Sequence, residues 1–401
     1  MKITAVTATP VRLSIPYPLY PGVGAGTKIE WGKRSRFTPL RPTPMLEYVL
    51  VRVETDEGVT GWGEAQADIG FFGETVEQVR AAVADYMGPQ LISKDPMDRE
   101  YLQGVIDYRG NGCAKSSISM ALHDLAGKAM GVPVSVLLGG RRRTHVPVAV
   151  EVAGGKPDAM AQACVDLMTQ GVRAFKPKVG GDPDSDADRL RAIREAVGPD
   201  ASIRADANQG YSPKEAIRLC RICERHGVGL ELLEQPVAVH DLPGMAFVRR
   251  SVETLIEADE SCFTPQDALA IIRHEAADVL NIKLGKAGGF SGAMKIAALA
   301  EAAGLKCVLG TGFGLGLEVA AKAHLFAATE LVTDAVEFTE LSLHANLLKP
   351  PWDTRLALPL EDGCLPVPDG PGLGVEVHSD PGTGAREAIA SATSSGHHGV
   401  Q

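Results

Sequence analysis

Lys176, Lys178 and Lys283 flank Asp206, Glu234 and Asp259 along the chain, and each stands at or just beyond the end of a short apolar run. Ammonium groups set around carboxylates are the parts needed to take a proton from carbon. The lysines can act as bases, and the carboxylates can hold a cation that stabilises the charge left behind. Oxygen-only ligation by Asp206, Glu234 and Asp259 selects a hard divalent ion, Mg²⁺ first, with Mn²⁺ as the alternative. Without a cation, three crowded carboxylates would repel and raise one another's pKa. Lys178 and Lys283 facing a cationic site should be pushed toward the free amine, to about pKa 7–8 for a catalytic lysine. Lys176 is placed to push Lys178 the same way. Asn208 and Glu260 read as groups that orient metal or substrate, and Lys286 as one that touches substrate or solvent.

These residues need a scaffold that brings them together. From Val146 to Phe338 the chain repeats a short β-like run followed by a helical stretch. The eight runs end near Val152, Lys178, Asp206, Glu234, Ala258, Lys283, Gly310 and Phe338, at intervals of 24–28 residues. Eight such units predict a closed parallel barrel, whose active groups gather at the carboxyl ends of the strands. In a ring of eight, the second and sixth runs lie opposite each other. A substrate held by the carboxylates would then show one face to Lys178 and the other to Lys283. Lys176 and Lys178 share a face, since strand side chains alternate with period two.

Residues 1–140 read as a separate α+β unit. Its parts are a strand at Ile3–Leu13, a hairpin of Leu46–Val53 and Val59–Glu64 around Asp56-Glu57-Gly58, and helices near 74–87, 96–107 and 114–130. The long segment 15–44 and the glycine-flanked loop 67–74 are candidate lids. They supply candidate substrate contacts in Tyr20, Lys28, Trp31 and Phe71, with Gly312, Phe313 and Glu340 added from the barrel. The barrel is expected over 141–345. A segment 346–378 should return to the first unit through a strand at Pro371–Val377, and 379–401 reads as a disordered tail. The glycines of Gly285–Gly289 and Gly310–Gly316 could open backbone amides as a carboxylate nest; neither stretch forms a proper nucleotide-binding motif.

The chain has 401 residues and a net charge of −10, room for a capping unit and a barrel of ~200 residues. Interspersed charge of that sign argues against nucleic acid or an anionic membrane as partner. No apolar run approaches the ~20 residues of a membrane span, and the start lacks a signal-peptide core. Seven scattered cysteines suggest reduced thiols and a cytoplasmic protein. Cys220 and Cys223 fall within a helical stretch and read as buried helix residues, not a redox or zinc pair. His123 and His324 read as structural, and His397 and His398 as part of a solvated terminus.

The pieces Lys176-Pro-Lys178, Asp206-Ala-Asn208, Glu234-Gln-Pro236, Asp259-Glu-Ser261 and Asn281-Ile-Lys283-Leu-Gly-Lys-Ala-Gly-Gly289 resemble the enolase superfamily, within it the muconate-lactonizing-enzyme subgroup. Gly61-Trp-Gly-Glu64, Leu137-Leu-Gly-Gly140 and Pro371-Gly-Leu-Gly374 agree with it. The resemblance implies an α/β fold, a modified TIM barrel (β/α)7β with an N-terminal α+β capping domain, and a homo-oligomer. It also implies Mg²⁺ on Asp206, Glu234 and Asp259, with Lys178 and Lys283 as general bases acting through an enediolate on a small-molecule carboxylate. One position departs: relatives in this subgroup tend to carry an acid where Gly314 stands. The paired lysines favour racemization or epimerization of an amino-acid derivative. Dehydration of a hydroxy acid or hydroxyproline-type substrate, and cycloisomerization, are the alternatives.

Overall fold

The computed structural model describes residues 1–14, 45–153, 155–330, 335–338 and 360–377. β1 (Ile3–Ser14), β2 (Met45–Thr55) and β3 (Thr60–Gln66) form an antiparallel meander in that order. Gly58 turns the β2–β3 hairpin at φ 78°, a conformation that costs glycine nothing. Helix Gly112–Met130 lies on β3. It can approach because Gly61 and Gly63 have no side chain: a Cβ on either would collide with the helix backbone at Ala121 and Ser117. The helix near 74–87 is observed as Val76–Ala81, capped by a reciprocal Thr75–Gln78 box, and runs on through a wider turn to Leu91.

Eight parallel strands follow: β4 (His145–Val152), β5 (Ala174–Pro177), β6 (Ser202–Asp206), β7 (Leu230–Glu234), β8 (Leu255–Ala258), β9 (Val279–Ile282), β10 (Lys306–Leu309) and β11 (Val336–Glu337). Hydrogen-bonded neighbours run β10-β9-β8-β7-β6-β5-β4-β11. Across the β10–β11 seam the Thr311 amide donates to Glu337 Oε2 at 3.2 Å. The result is a nearly closed barrel. Every strand end falls within a residue of its predicted place. The returns to the sheet are set by sequence: Asp182, Ser212 and Thr264 each cap a helix through the side chain and are each followed by proline at the first helical position.

The C-terminal segment departs from expectation. It does return to the first unit, through Val134 N–H to the Gly372 carbonyl (2.8 Å) and Gly372 N–H to the Val132 carbonyl (3.0 Å). It makes only a single bridge there, with no strand at Pro371–Val377. Gly372 and Gly374 sit at φ 71° and 69°, outside the β region. The next amide, Leu373 N–H, is taken by the buried Asp124 carboxylate at 2.8 Å instead of by a ladder. The strand of this segment lies earlier: β12 (Cys364–Pro366) pairs antiparallel with β4.

His324 ties three parts of the fold together. Ser135 N–H donates to its Nδ1 (3.3 Å), so Nε2 carries the proton and donates to the Leu373 carbonyl (3.2 Å). Burial pushes its pKa down to about 4. The buried His123, whose Nδ1 donates to the Ser119 carbonyl, is lowered likewise to about 4. Both are structural, as expected. Cys220 and Cys223 are buried on helix Pro213–Arg225, their thiols pushed up to about 12 by burial. No helix among the described residues is long and apolar enough to cross a membrane.

Candidate active site

Strand alternation turns one face of each strand into the barrel. Along the register Glu151 pairs with Lys176, Asp206 with Glu234, and Glu234 with Glu257, and all are buried. Lys178 follows β5 and reaches Asp206 Oδ2 at 2.7 Å and Glu151 Oε1 at 3.0 Å. From the opposite side, Lys283 at the end of β9 donates to Asp259 Oδ2. Lys178, Asp206, Asn208, Asp259 and Lys283 line one cavity with Phe71, Gly312 and Phe313. The structure therefore brings the two predicted bases and two of the three predicted ligands to a common space. The third, Glu234, lies beside them on β7.

Lys176 is the electrostatic hub. Its ammonium lies 2.6 Å from Glu234 Oε2, 2.9 Å from Glu337 Oε1, 3.5 Å from Asp206 Oδ2 and 3.7 Å from Glu151 Oε1. Burial alone would lower its pKa, but these carboxylates outweigh it and hold the group well above the usual lysine range. Lys283 is also raised: burial works against it, while Asp259 and Glu234 prevail. Its nearest partner among the described residues is the Asp259 carboxylate, which favours the charged amine. The carboxylates split in response. Asp206 and Asp259 are lowered, against burial, by Lys178 and Lys176 for the first and by Lys283 and Lys286 for the second. Glu234 is raised well above the carboxylate range by burial and by Asp206.

Lys286 corrects another expectation. It is buried, and its ammonium donates to Asp259 Oδ1 (2.5 Å), the Asp259 carbonyl (2.9 Å) and the Asn281 carbonyl (2.8 Å). It fixes Asp259 and does not face solvent. In the stretch 310–316 several amides are already taken. The amides of Thr311, Phe313 and Leu315 are taken by Glu337, the Thr311 hydroxyl and Glu64 respectively. The glycines make room for side chains instead: a Cβ at Gly310 would stand 2.7 Å from Lys283 Cε.

Asn208 Nδ2 donates to Glu260 Oε1 at 3.3 Å, so the two predicted orienting residues meet each other. Burial, with Asp259, pushes the Glu260 carboxyl up to about 7. The loop 67–74 does reach the mouth. The Phe71 ring lies 4.2 Å from the Lys283 ammonium, stacks on Phe263 and meets Phe72 edge-on. The free space left is about 30 Å³, enough for about one water. Tyr20, Lys28, Trp31 and Glu340, with the segments 15–44 and 378–401, lie outside the described residues. Beside Gly314, the Glu318 carboxylate occupies the place a side chain would take.

Sequence reading missed Glu151, Gln66, Glu257, Asn281 and Glu337. Two of these were within reach, since Glu257 and Asn281 stand two residues before Asp259 and Lys283 and must share their face. Glu234, Glu257 and Glu337 also bring one oxygen each within 4.8 Å of one another. Like Glu234, Glu257 and Glu337 do not line the cavity itself, and burial pushes the Glu257 carboxyl up to about 8. A larger cleft of about 620 Å³, between Arg99–Val105 and helix Phe290–Ala302, holds none of the predicted site residues.

Residues 159–381 match the family described as enolase C-terminal domain-like, and residues 40–139 the mandelate racemase/muconate lactonizing enzyme N-terminal domain. The chain is 36% identical to the L-Ala-D/L-Glu epimerase of Bacillus subtilis over 341 residues, 84% of this chain and 91% of the relative. It is 31% identical to the N-succinyl-L-Arg/Lys racemase of Bacillus cereus over 382 residues, 95% and 96% of the two chains. It is 34% identical to a muconate cycloisomerase 1 of Acinetobacter baylyi over 342 residues, 83% and 90%. Among solved structures, a substrate-liganded complex of the B. subtilis epimerase superposes with a TM-score of 0.83 at 32% identity, covering 94% of this chain and all of that one. A dipeptide epimerase of Cytophaga hutchinsonii, complexed with Mg and the dipeptide D-Ala-L-Val, gives 0.81 at 28%, covering 95% and 97%. A capped parallel barrel, a buried carboxylate–lysine cluster at its strand ends and these matches lead to one conclusion: the chain belongs to the mandelate racemase/muconate lactonizing enzyme family of the enolase superfamily, and is an isomerase of that superfamily.

Proposed function

We propose that the protein removes the proton α to a carboxylate and returns one to the opposite face, racemizing or epimerizing an amino-acid derivative with Mg²⁺ as cofactor. The observation that carries this reading is the placement of Lys178 and Lys283. They end strands four positions apart in the ring of eight, and both line the same cavity. A planar intermediate between them can lose a proton to one and gain a proton from the other. Dehydration or ring closure needs no such symmetry. The B. subtilis and C. hutchinsonii epimerases and the B. cereus racemase support an acylated or peptidyl amino acid as the substrate class.

Asp206, Glu234 and Asp259 would hold the ion. The donor set is all oxygen, is buried and comes from three consecutive strands. Glu234 Oε2 is buried and already lies against a positive charge, the Lys176 ammonium at 2.6 Å. An all-oxygen set of this kind suits a hard divalent cation. When bound, the ion supplies Lewis-acid stabilisation of the charge that develops on the substrate carboxylate. The protein's own groups do the rest. Lys178 and Lys283 exchange the proton at carbon, Lys176 offsets the surplus negative charge of the barrel interior, and Lys286 holds Asp259 in place. The aromatic wall of Phe71 and Phe72 keeps water from the cavity.

The test is incubation with Mg²⁺ in D₂O and a panel of N-acyl amino acids, dipeptides, proline derivatives and hydroxy acids, followed by proton NMR at the α-carbon. Deuterium incorporation with inversion and no new product supports the proposal. A keto acid or imine reassigns the protein to dehydration, and a lactone to cycloisomerization.

A further inference from the structure

Gln66 ends β3 in the capping unit and is 7% exposed. Its Oε1 is buried and accepts no hydrogen bond among the described residues. The side chain lines the same cavity as Lys178 and Lys283, yet sequence reading gave it no role. A buried amide oxygen left unmatched is costly, and a folded chain rarely leaves one without a use. The surroundings keep the space open. A Cβ at Gly312 would stand 2.5 Å from Gln66 Oε1 and 3.0 Å from the Phe72 ring. Gly312 thus lets the carboxamide lie against the β10 loop at the cavity wall.

We propose that Gln66 sets substrate specificity by binding the amide of an N-acyl or peptidyl substituent on the substrate nitrogen. This rests on the proton-transfer reading of the same cavity. A carboxamide offers one acceptor and two donors and can turn end for end, so it can meet either the N–H or the C=O of a substrate amide. The ionic groups Glu151, Lys178, Asp206, Asp259 and Lys283 serve the carboxylate end, and the other neutral polar side chains of the lining are engaged: Asn208 Nδ2 donates to Glu260 Oε1 at 3.3 Å and the Thr311 hydroxyl accepts the Phe313 amide at 2.9 Å. Asp68 is already engaged, accepting the Gly70 and Phe71 amides at 2.7 and 3.2 Å. Gln66 is a neutral group on the capping side, with an oxygen that no described residue engages, where the substituent of an α-amino acid would lie if its carboxylate faces the barrel. A neutral amide suits that place, whereas a charged terminus would find no counter-ion on Gln66.

The experiment compares wild type with Gln66→Met, which keeps length and volume but cannot donate or strongly accept, and with Gln66→Glu. Each is assayed in D₂O against an N-acyl amino acid and against the isosteric O-acyl hydroxy acid, which lacks the N–H. Gln66→Met should lower the wild-type preference for the amide over the ester by about 10- to 100-fold in kcat/KM, mostly through KM. Gln66→Glu should retain part of it, because a carboxylate still accepts. An unchanged preference in Gln66→Met, or equal losses on amide and ester, would overturn the assignment. If wild type exchanges no α-proton on any acid, the proton-transfer reading fails separately. Binding of the same pair to the Mg²⁺-loaded proteins, by saturation-transfer NMR, then decides: a wild-type amide preference lost in Gln66→Met upholds the role, and equal binding, or none, refutes it.

Discussion

Replacing Lys283 by Met should separate the two faces of the reaction. The variant keeps an apolar stem against the Phe71 ring, 4.2 Å from the ammonium in the wild type, and removes the base. A positioned general base contributes about 10²–10⁴ in rate. Exchange of the enantiomer whose α-proton faces Lys283 should fall by that factor, and net inversion should fall with it, because inversion uses both sides. The other enantiomer should still exchange its α-proton with retention, through Lys178. The structural cost must be small enough to leave this readable. Asp259 loses one of two ammonium partners but keeps Lys286 at 2.5 Å and the Gln235 side-chain oxygen on its own amide at 3.0 Å. The loss should therefore fall below the ~3–5 kcal/mol of an abolished buried pair, within reach of a folded domain's ~5–15 kcal/mol. The assay is α-proton exchange in D₂O on each pure enantiomer, with a thermal melt of the same sample. Lys178→Met should give the mirror image. If Lys283→Met lost exchange of both enantiomers equally while its melt stayed cooperative, the two-base reasoning would be wrong.

Three further outcomes follow from the geometry. Chelation with EDTA should abolish exchange while circular dichroism stays native, and added Mg²⁺ should restore it; persistent exchange without the ion would refute the metal role. Glu64 on β3 accepts the Leu315 amide at the start of helix Gly316–Ala328, so Glu64→Gln should be mild. Glu64→Leu should cost about 1–3 kcal/mol, read as a drop in urea midpoint; equal effects of the two would contradict the cap. His324 has a pKa of about 4 when folded against 6.5 free, so the unfolded chain binds its proton first as pH falls. Stability should be lost through the window from 6.5 to 4, by about 2 kcal/mol between pH 7 and pH 5. In His324→Gln that part of the slope in urea unfolding should vanish, and an unchanged slope would place the titration elsewhere.

What could be read from sequence, and what could not, follows from how each residue acts. Asp206, Glu234 and Asp259 were legible because a parallel barrel exposes its chemistry at strand ends, and the 24–28-residue repeat located those ends. Lys286 was misread because its role is three-dimensional. It stands three residues past Lys283, within the short helix Leu284–Ala287, which turns its ammonium back to Asp259 on the neighbouring strand. No period along one chain segment predicts a side chain that reverses direction. The surroundings of Lys176 were hidden for a related reason. Along the sequence its near neighbour is Lys178, whereas the fold puts it among four carboxylates, two of them from β4 and β11. Glu337 in turn is tied to Thr311 across the only seam that backbone pairing leaves in the barrel among the described residues. The ammonium at its centre therefore has a second consequence. Removing Lys176 would leave four buried acids facing one another, so the barrel interior depends on that charge as much as the proposed chemistry does.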